Sequence, residues 1–124
     1  MNSYQKQIKQ FCEERNWAQF HNAKDLLLGL VEEIGEFRNI IKWVTGPKDI
    51  KKLISENKKD VKDAIGDMYW FLASLANVCD IDMDEAIEMT IEDNKKRYPV
   101  ERTKDHHTNI RLGGYDGKYK NKDD

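Results

Sequence analysis

Leu26-Leu27-Leu28-Gly29-Leu30-Val31-Glu32-Glu33-Ile34-Gly35-Glu36-Phe37 decides how the rest of this chain is read. Leu26, Leu27, Leu30, Ile34, Phe37 and Ile41 recur at the spacing of one helical face. At about 100° per residue, Glu36 falls between Glu32 and Glu33, so three carboxylates share a patch beside the apolar stripe. Like charges this close repel within a helix. Read alone, the acidic triplet is a solvated face first and a cation site second.

A second helix, expected over residues 58–78, shifts that balance. From Ala64 to Ala76 it is apolar nearly all round, which predicts burial on every side and a subunit interface as well as a core. Asp60 and Asp63 lie in its first turns, where the helix dipole favours acids. Asp67 lies too far along for that account. A buried carboxylate costs on the order of several kcal/mol unless it is paired or bound to a metal. Gly66 beside it allows close approach of a backbone or a ligand. Asp67 therefore reads as functional.

Around these helices the order is simple. Residues 3–15 form a first helix with Ser3 as cap and Tyr4, Ile8, Phe11 and Cys12 inward. Residues 16–22 form a connector in which Trp17 and His21 read as buried anchors first and as pocket walls second. The acidic helix runs over residues 24–44 from an Asn22 cap and is stopped by Thr45-Gly46-Pro47. Residues 49–57 make a short exposed helix or ordered loop. A last helix spans residues 83–96, capped by Asp80 or Asp82, and Pro99 marks its stop. Beyond Val100 periodicity is lost, and a polar tail with His106-His107, Tyr115 and Tyr119 is expected to be loose or disordered.

The chain has 124 residues, enough for one domain with a real core. With 35% charged residues and a net charge of −2, nothing in its bulk electrostatics points to nucleic acid or to a membrane surface. Cys12 and Cys79 have no metal-ligand spacing and read as reduced thiols. No apolar signal segment or spanning run is present, so a cytoplasmic protein is expected.

Two antiparallel helices can present Glu32, Glu33 and Glu36 opposite Asp63 and Asp67. Hard oxygen ligands without His or Cys suit Mg²⁺ or Mn²⁺. A ferritin-like di-iron centre needs Glu-x-x-His pairs, which neither helix has. Metals held in this way usually act on phosphates. Lys95, Lys96 and Arg97 are placed to hold a polyphosphate, and Trp17, Trp43, Tyr69 and Trp70 offer rings for a base. Together these features suggest metal-dependent cleavage of a nucleoside phosphate.

The stretches from Phe11 to His21 and from Leu26 to Glu36, with Trp43, Gly66-Asp67 and the segment from Asn94 to Val100, resemble the all-α MazG-like nucleoside triphosphate pyrophosphohydrolases. Within them, the chain is most similar to the dCTP pyrophosphatase-like branch. The resemblance covers about residues 4–102. It implies an all-α, four-helix MazG-like bundle that pairs into homodimers or homotetramers, with residues 1–100 as catalytic domain and 101–124 as tail. It also implies hydrolysis of a (deoxy)nucleoside triphosphate to the monophosphate and pyrophosphate, with dCTP preferred and nucleotide-pool house-cleaning as the role. Glu32, Glu33, Glu36 and Asp67 match the family's catalytic acids. Trp17, His21 and Trp43 match positions around the base, and Asn94 and Arg97 match positions near the phosphates, with Lys95 beside them.

One position departs from the pattern. Three residues before Asp67 the family commonly has Glu, and this chain has Ala64. Asp63 is expected to take over as metal ligand. Without a replacement, the chain becomes a noncatalytic nucleotide-binding or interaction module.

Overall fold

The structure, a computed structural model, describes residues 1–105. The fold is all-α: no strand occurs among the described residues. Helix α1 spans Ser3–Glu14, a 3-10 turn spans Trp17–Phe20, and α2 spans Ala23–Ile41. They are followed by α3 (Pro47–Glu56), α4 (Lys58–Val78), α5 (Met83–Arg97) and α6 (Val100–Thr103). The helices begin where local chemistry allows. Asn22 caps α2 by accepting a hydrogen bond from the Asp25 backbone N–H at 2.9 Å. Pro47 opens α3, where its missing N–H costs nothing. At α1 the cap is Asn2 rather than Ser3, with its carboxamide oxygen accepting from the Gln5 N–H.

The chain divides into two units, Met1–Met83 and Asp84–Asp124. In the first, α2 packs along α4 and α1 lies on α4. Ile8, Cys12, Leu26, Val61, Ala64 and Ala73 form its buried apolar core. The described part of the second unit holds the rest of α5 and the short α6, whose Thr103 hydroxyl donates to the Pro99 carbonyl at 2.8 Å. Helix α6 continues structure past Val100, where the sequence predicts none. His106, His107, Tyr115 and Tyr119 lie outside the described residues.

One expectation about faces needs correcting. The inward edge of α1 is Gln5, Ile8 and Cys12, and Tyr4 is exposed. Gln5 is drawn inside because its carboxamide finds three partners. It donates to the Asn77 side chain at 3.0 Å and to the Ile81 carbonyl at 2.8 Å, and it accepts from the Met83 N–H at 3.0 Å. It thereby satisfies the first amide of α5 and the turn before it, around the left-handed Asp80. Helix α4, in turn, is not enclosed by its own chain. Ile65, Tyr69 and Leu72 form an exposed stripe at i, i+4, i+7.

At Gly29, α2 lies directly against a side chain of α4: a Cβ there would land on the edge of the Phe71 ring. Gly29→Ala gains roughly 1 kcal/mol in helix propensity and should lose about 1–3 kcal/mol to overpacking. We expect net destabilisation in urea unfolding. A stabilised variant would mean that Phe71 swings away freely.

Candidate active site

Helix α2 turns Glu33 toward α4 on the face that also carries Leu26 and Leu30, while Glu32 and Glu36 stay exposed. Glu33 is half-buried, and its Oε2 is covered and has no hydrogen-bond partner. Its carboxyl is pushed above the ordinary glutamate value of 4.5, first by burial and then by the charges of Glu36 and Asp67. A hydrogen bond shared with Glu36 and the charge of Glu32 add to the shift. The charges of Glu32 and Glu36 on α2 and of Asp67 on α4 thus bear on Glu33.

Asp67 itself is exposed, not buried. Its link to the site is its charge on Glu33, not an enclosed position. Asp63 is exposed one turn before it on α4, and Ala64 is only 8% exposed, on the inward side. Among the described residues no group of three or more acidic, histidine or cysteine side chains is arranged so that it could hold a metal ion. The donor chemistry nonetheless fits a hard cation. The charges that bear on Glu33, whose covered Oε2 has no hydrogen-bond partner, are all carboxylates, the donor type that suits such an ion.

The aromatic residues gather around Phe11. Its ring meets Trp17 edge-on at 5.5 Å and Trp70 at 5.1 Å, and the Arg15 guanidinium lies 3.5 Å over it. Trp17 in turn meets the His21 ring at 6.3 Å. Trp43 is 84% exposed beyond the end of α2, with the Lys42 ammonium 5.2 Å from its ring centre. Between α1 and α4 lies an apolar groove of about 620 Å³, lined by Tyr4, Gln7, Ile8, Phe11, Ile65, Gly66, Tyr69 and Trp70.

Asn94, Lys95 and Arg97 sit in the last turn of α5, in the second unit. Asn94 is exposed, Lys95 pairs with Glu92 at 3.0 Å, and Arg97 approaches Asp93 at 3.8 Å. Exposed i,i+3 and i,i+4 pairs of this kind are worth only about 0.3–0.5 kcal/mol. They hold the two cations only loosely.

The MazG nucleotide pyrophosphohydrolase domain matches residues 21–101, more than half of the chain. The chain belongs to that family. This MazG-family chain is 32% identical to dCTP pyrophosphatase 1 of Bos taurus over 92 residues, covering 73% of the chain and 54% of the relative. It is likewise 32% identical over 92 residues to dCTP pyrophosphatase 1 of Homo sapiens, with the same coverage. The chain thus spans about half the length of these curated relatives. Its fold is similar to the crystal structure of a pyrophosphatase from Archaeoglobus fulgidus, with a TM-score of 0.70 and 26% identity. That match covers 74% of this chain and 85% of the other. The MazG match takes in α2, α3, α4 and α5, hence every acid named above.

Sequence reasoning missed the groove and the inward turn of Glu33. The groove needs two helices at a particular separation, which no periodicity encodes. The signal for Glu33 was present in the seven-residue step from Leu26, two turns of one face.

Proposed function

We propose that this MazG-family chain hydrolyses (deoxy)nucleoside triphosphates to the monophosphate and pyrophosphate, using Mg²⁺ or Mn²⁺. The observation that carries this reading is Glu33: a covered, unpartnered carboxylate oxygen held among Glu36, Asp67 and Glu32. A divalent cation would give that oxygen a partner and offset the charges around it. Glu33, Glu36 and Asp67 are its proposed ligands, and Asp63, one turn along α4 from Asp67, stands in for the acid missing at Ala64. When bound, the cation neutralises phosphate oxygens and lowers the pKa of an attacking water.

The chain's own groups then divide the work. Glu32, exposed beside Glu33 on α2, adds negative charge that draws the cation to the cluster. Asn94, Lys95 and Arg97 hold phosphate oxygens, and Trp17, His21 and Trp43 surround the base. Water adds to one phosphoryl group as the bond to the leaving pyrophosphate breaks, and no side chain becomes covalently attached. The likeness to dCTP pyrophosphatase 1 supports dCTP or a related pyrimidine nucleotide as substrate and a nucleotide-pool house-cleaning role. Cys12 and Cys79 are free thiols, and no described helix is long and apolar enough to cross a membrane; both suit a cytoplasmic setting.

The test is pyrophosphate release from a panel of NTPs and dNTPs, with Mg²⁺ and with chelator. Metal-dependent release with dCTP foremost is expected. Release of phosphate alone would overturn the bond assignment. Nucleotide binding without any release would favour the noncatalytic reading, for which the buried Ala64 is the structural basis.

A second copy is the proposed partner of the outer α2 stripe. Leu27, Leu28, Val31 and Ile34 are each about half or more exposed along one side of that helix. Covering this stripe in a homodimer or homotetramer removes apolar area at about 25 cal/mol per Å². Val31→Lys should shift the mass measured by light scattering toward monomer. An unchanged mass would move the interface elsewhere.

A further inference from the structure

Helices α2 and α4 meet at two successive levels. Gly29 of α2 faces the Phe71 ring so closely that a Cβ at residue 29 would fall 2.8 Å from Cδ1 and 3.0 Å from Cζ. Glu33, four residues further along α2, feels the charge of Asp67, four residues earlier on α4. The opposite order of the two pairs means that the helices run antiparallel, with about one turn, roughly 6 Å, between the levels. Carbon atoms rest against one another at about 3.5–4.0 Å, so a residue without a side chain is what lets the ring sit where it does. On the other side of Asp67, the inward residue of α4 is Ala64, which offers a single methyl group. The ring in its glycine notch is therefore the bulky contact one turn from the acids.

A hard cation takes its oxygens at about 2.0–2.6 Å. Two carboxylates on different helices meet that demand only if their backbones keep a set separation, because each side chain moves in discrete rotamer steps. We propose that Phe71, seated in the Gly29 notch, is a positioning residue that holds α2 and α4 at the separation at which Glu33 and Asp67 share one divalent cation. It acts through the helix pair and not as a ligand. This inference rests on the cation reading above and adds the part of the fold that sets the ligand spacing. A methyl group at residue 29 drives the two helices apart, and a smaller side chain at residue 71 lets them close or slide. Either change moves both acids, and displacements of about 0.5–1 Å already spoil a site of this kind.

The experiment measures Mn²⁺ binding to the nucleotide-free protein by electron paramagnetic resonance, beside pyrophosphate release, for wild type, Gly29→Ala, Phe71→Leu and the double variant. All are held below their melting transitions, with folding checked by circular dichroism. Each single change should raise the Mn²⁺ Kd about tenfold. Pyrophosphate release should fall in parallel and recover as Mn²⁺ is raised above the new Kd. In the double variant the added methyl takes up space that the ring leaves, and the Kd should return to within about threefold of wild type. A ring that only packs the core would lower Tm in the single variants and leave the Mn²⁺ Kd at its wild-type value. An unchanged Kd in either single variant, or a double variant whose losses simply add, overturns the proposal. If the wild type binds Mn²⁺ and the single variants bind it equally well, the positioning role fails and the cation reading stands. If the wild type itself binds no Mn²⁺ and shows no metal-dependent release, the cation reading fails and this proposal falls with it.

Discussion

Glu33→Gln and Asp67→Asn should each lower pyrophosphate release by at least about a hundredfold at saturating Mg²⁺, with the fold intact. Each removes one full charge from a cluster whose proposed task is to hold a divalent cation, and losses of this size follow even indirect disturbance of metal ligands. Glu33→Gln has a second, opposite consequence for stability. Burial and the neighbouring Glu36, Asp67 and Glu32 raise the Glu33 carboxyl in the folded chain. Without metal, the folded state then keeps this proton to higher pH than the unfolded state does. Unfolding free energy consequently falls as pH rises from about the ordinary 4.5 through the raised value, and is flat above it. Glutamine has no proton to lose, so the variant should gain on the wild type across that window. Mg²⁺ needs the ionised carboxylate, so its stabilisation of the wild type should grow over the same window and be largely absent from the variant. Thermal melts at pH 4.5 and pH 8, with and without Mg²⁺, read all four quantities. Equal Mg²⁺ responses in wild type and both variants would place the cation elsewhere.

Gln5→Leu should be among the most damaging single changes to stability, although Gln5 is polar and lies far from any acid in sequence. The substitution removes the donor to Asn77 and Ile81 and the acceptor for Met83 N–H. It leaves a carbonyl and an amide beside the α4–α5 turn without their partner, at a site with no exposed surface. Unsatisfied groups of this kind cost about 1–3 kcal/mol each. A loss of about 3 kcal/mol, or on the order of 12 °C in Tm, is expected. Gln7→Leu on the exposed side of the same helix serves as control and should change stability by less than about 0.5 kcal/mol. Comparable losses in both variants would mean that general helix propensity, not the buried network, sets the effect.

Much of this fold is local and was legible as such. The 58–78 helix and the Asn22 cap depend on residues within a few positions of one another, and the structure shows both; the stop expected at Thr45-Gly46-Pro47 comes earlier, at Ile41, and Gly46-Pro47 opens α3 instead. The acidic patch is equally local, because three- and four-residue steps place Glu32, Glu33 and Glu36 together on any helix. The resemblance carried by Trp17, Gly66-Asp67 and the Asn94–Val100 segment pointed to the family that the domain match establishes.

Periodicity announces that a helix has an inner face, but burial is decided by what waits on the other side. Tyr4 and Gln5 differ by one step of 100°, and Gln5 went inside because the α4–α5 turn offers it three hydrogen bonds. Asp67 sits in an apolar run and still stays exposed, beside α2 rather than beneath it. Glu33, the acid nearest the leucines in pitch, took the covered place instead. Helices α1, α2, α4 and α5, their order and their acids were determined by the sequence alone. Which acid is covered, which glutamine is buried and where a groove opens were decided only by the packing of α1 and α2 on α4, because those depend on distances between residues that are remote in the chain.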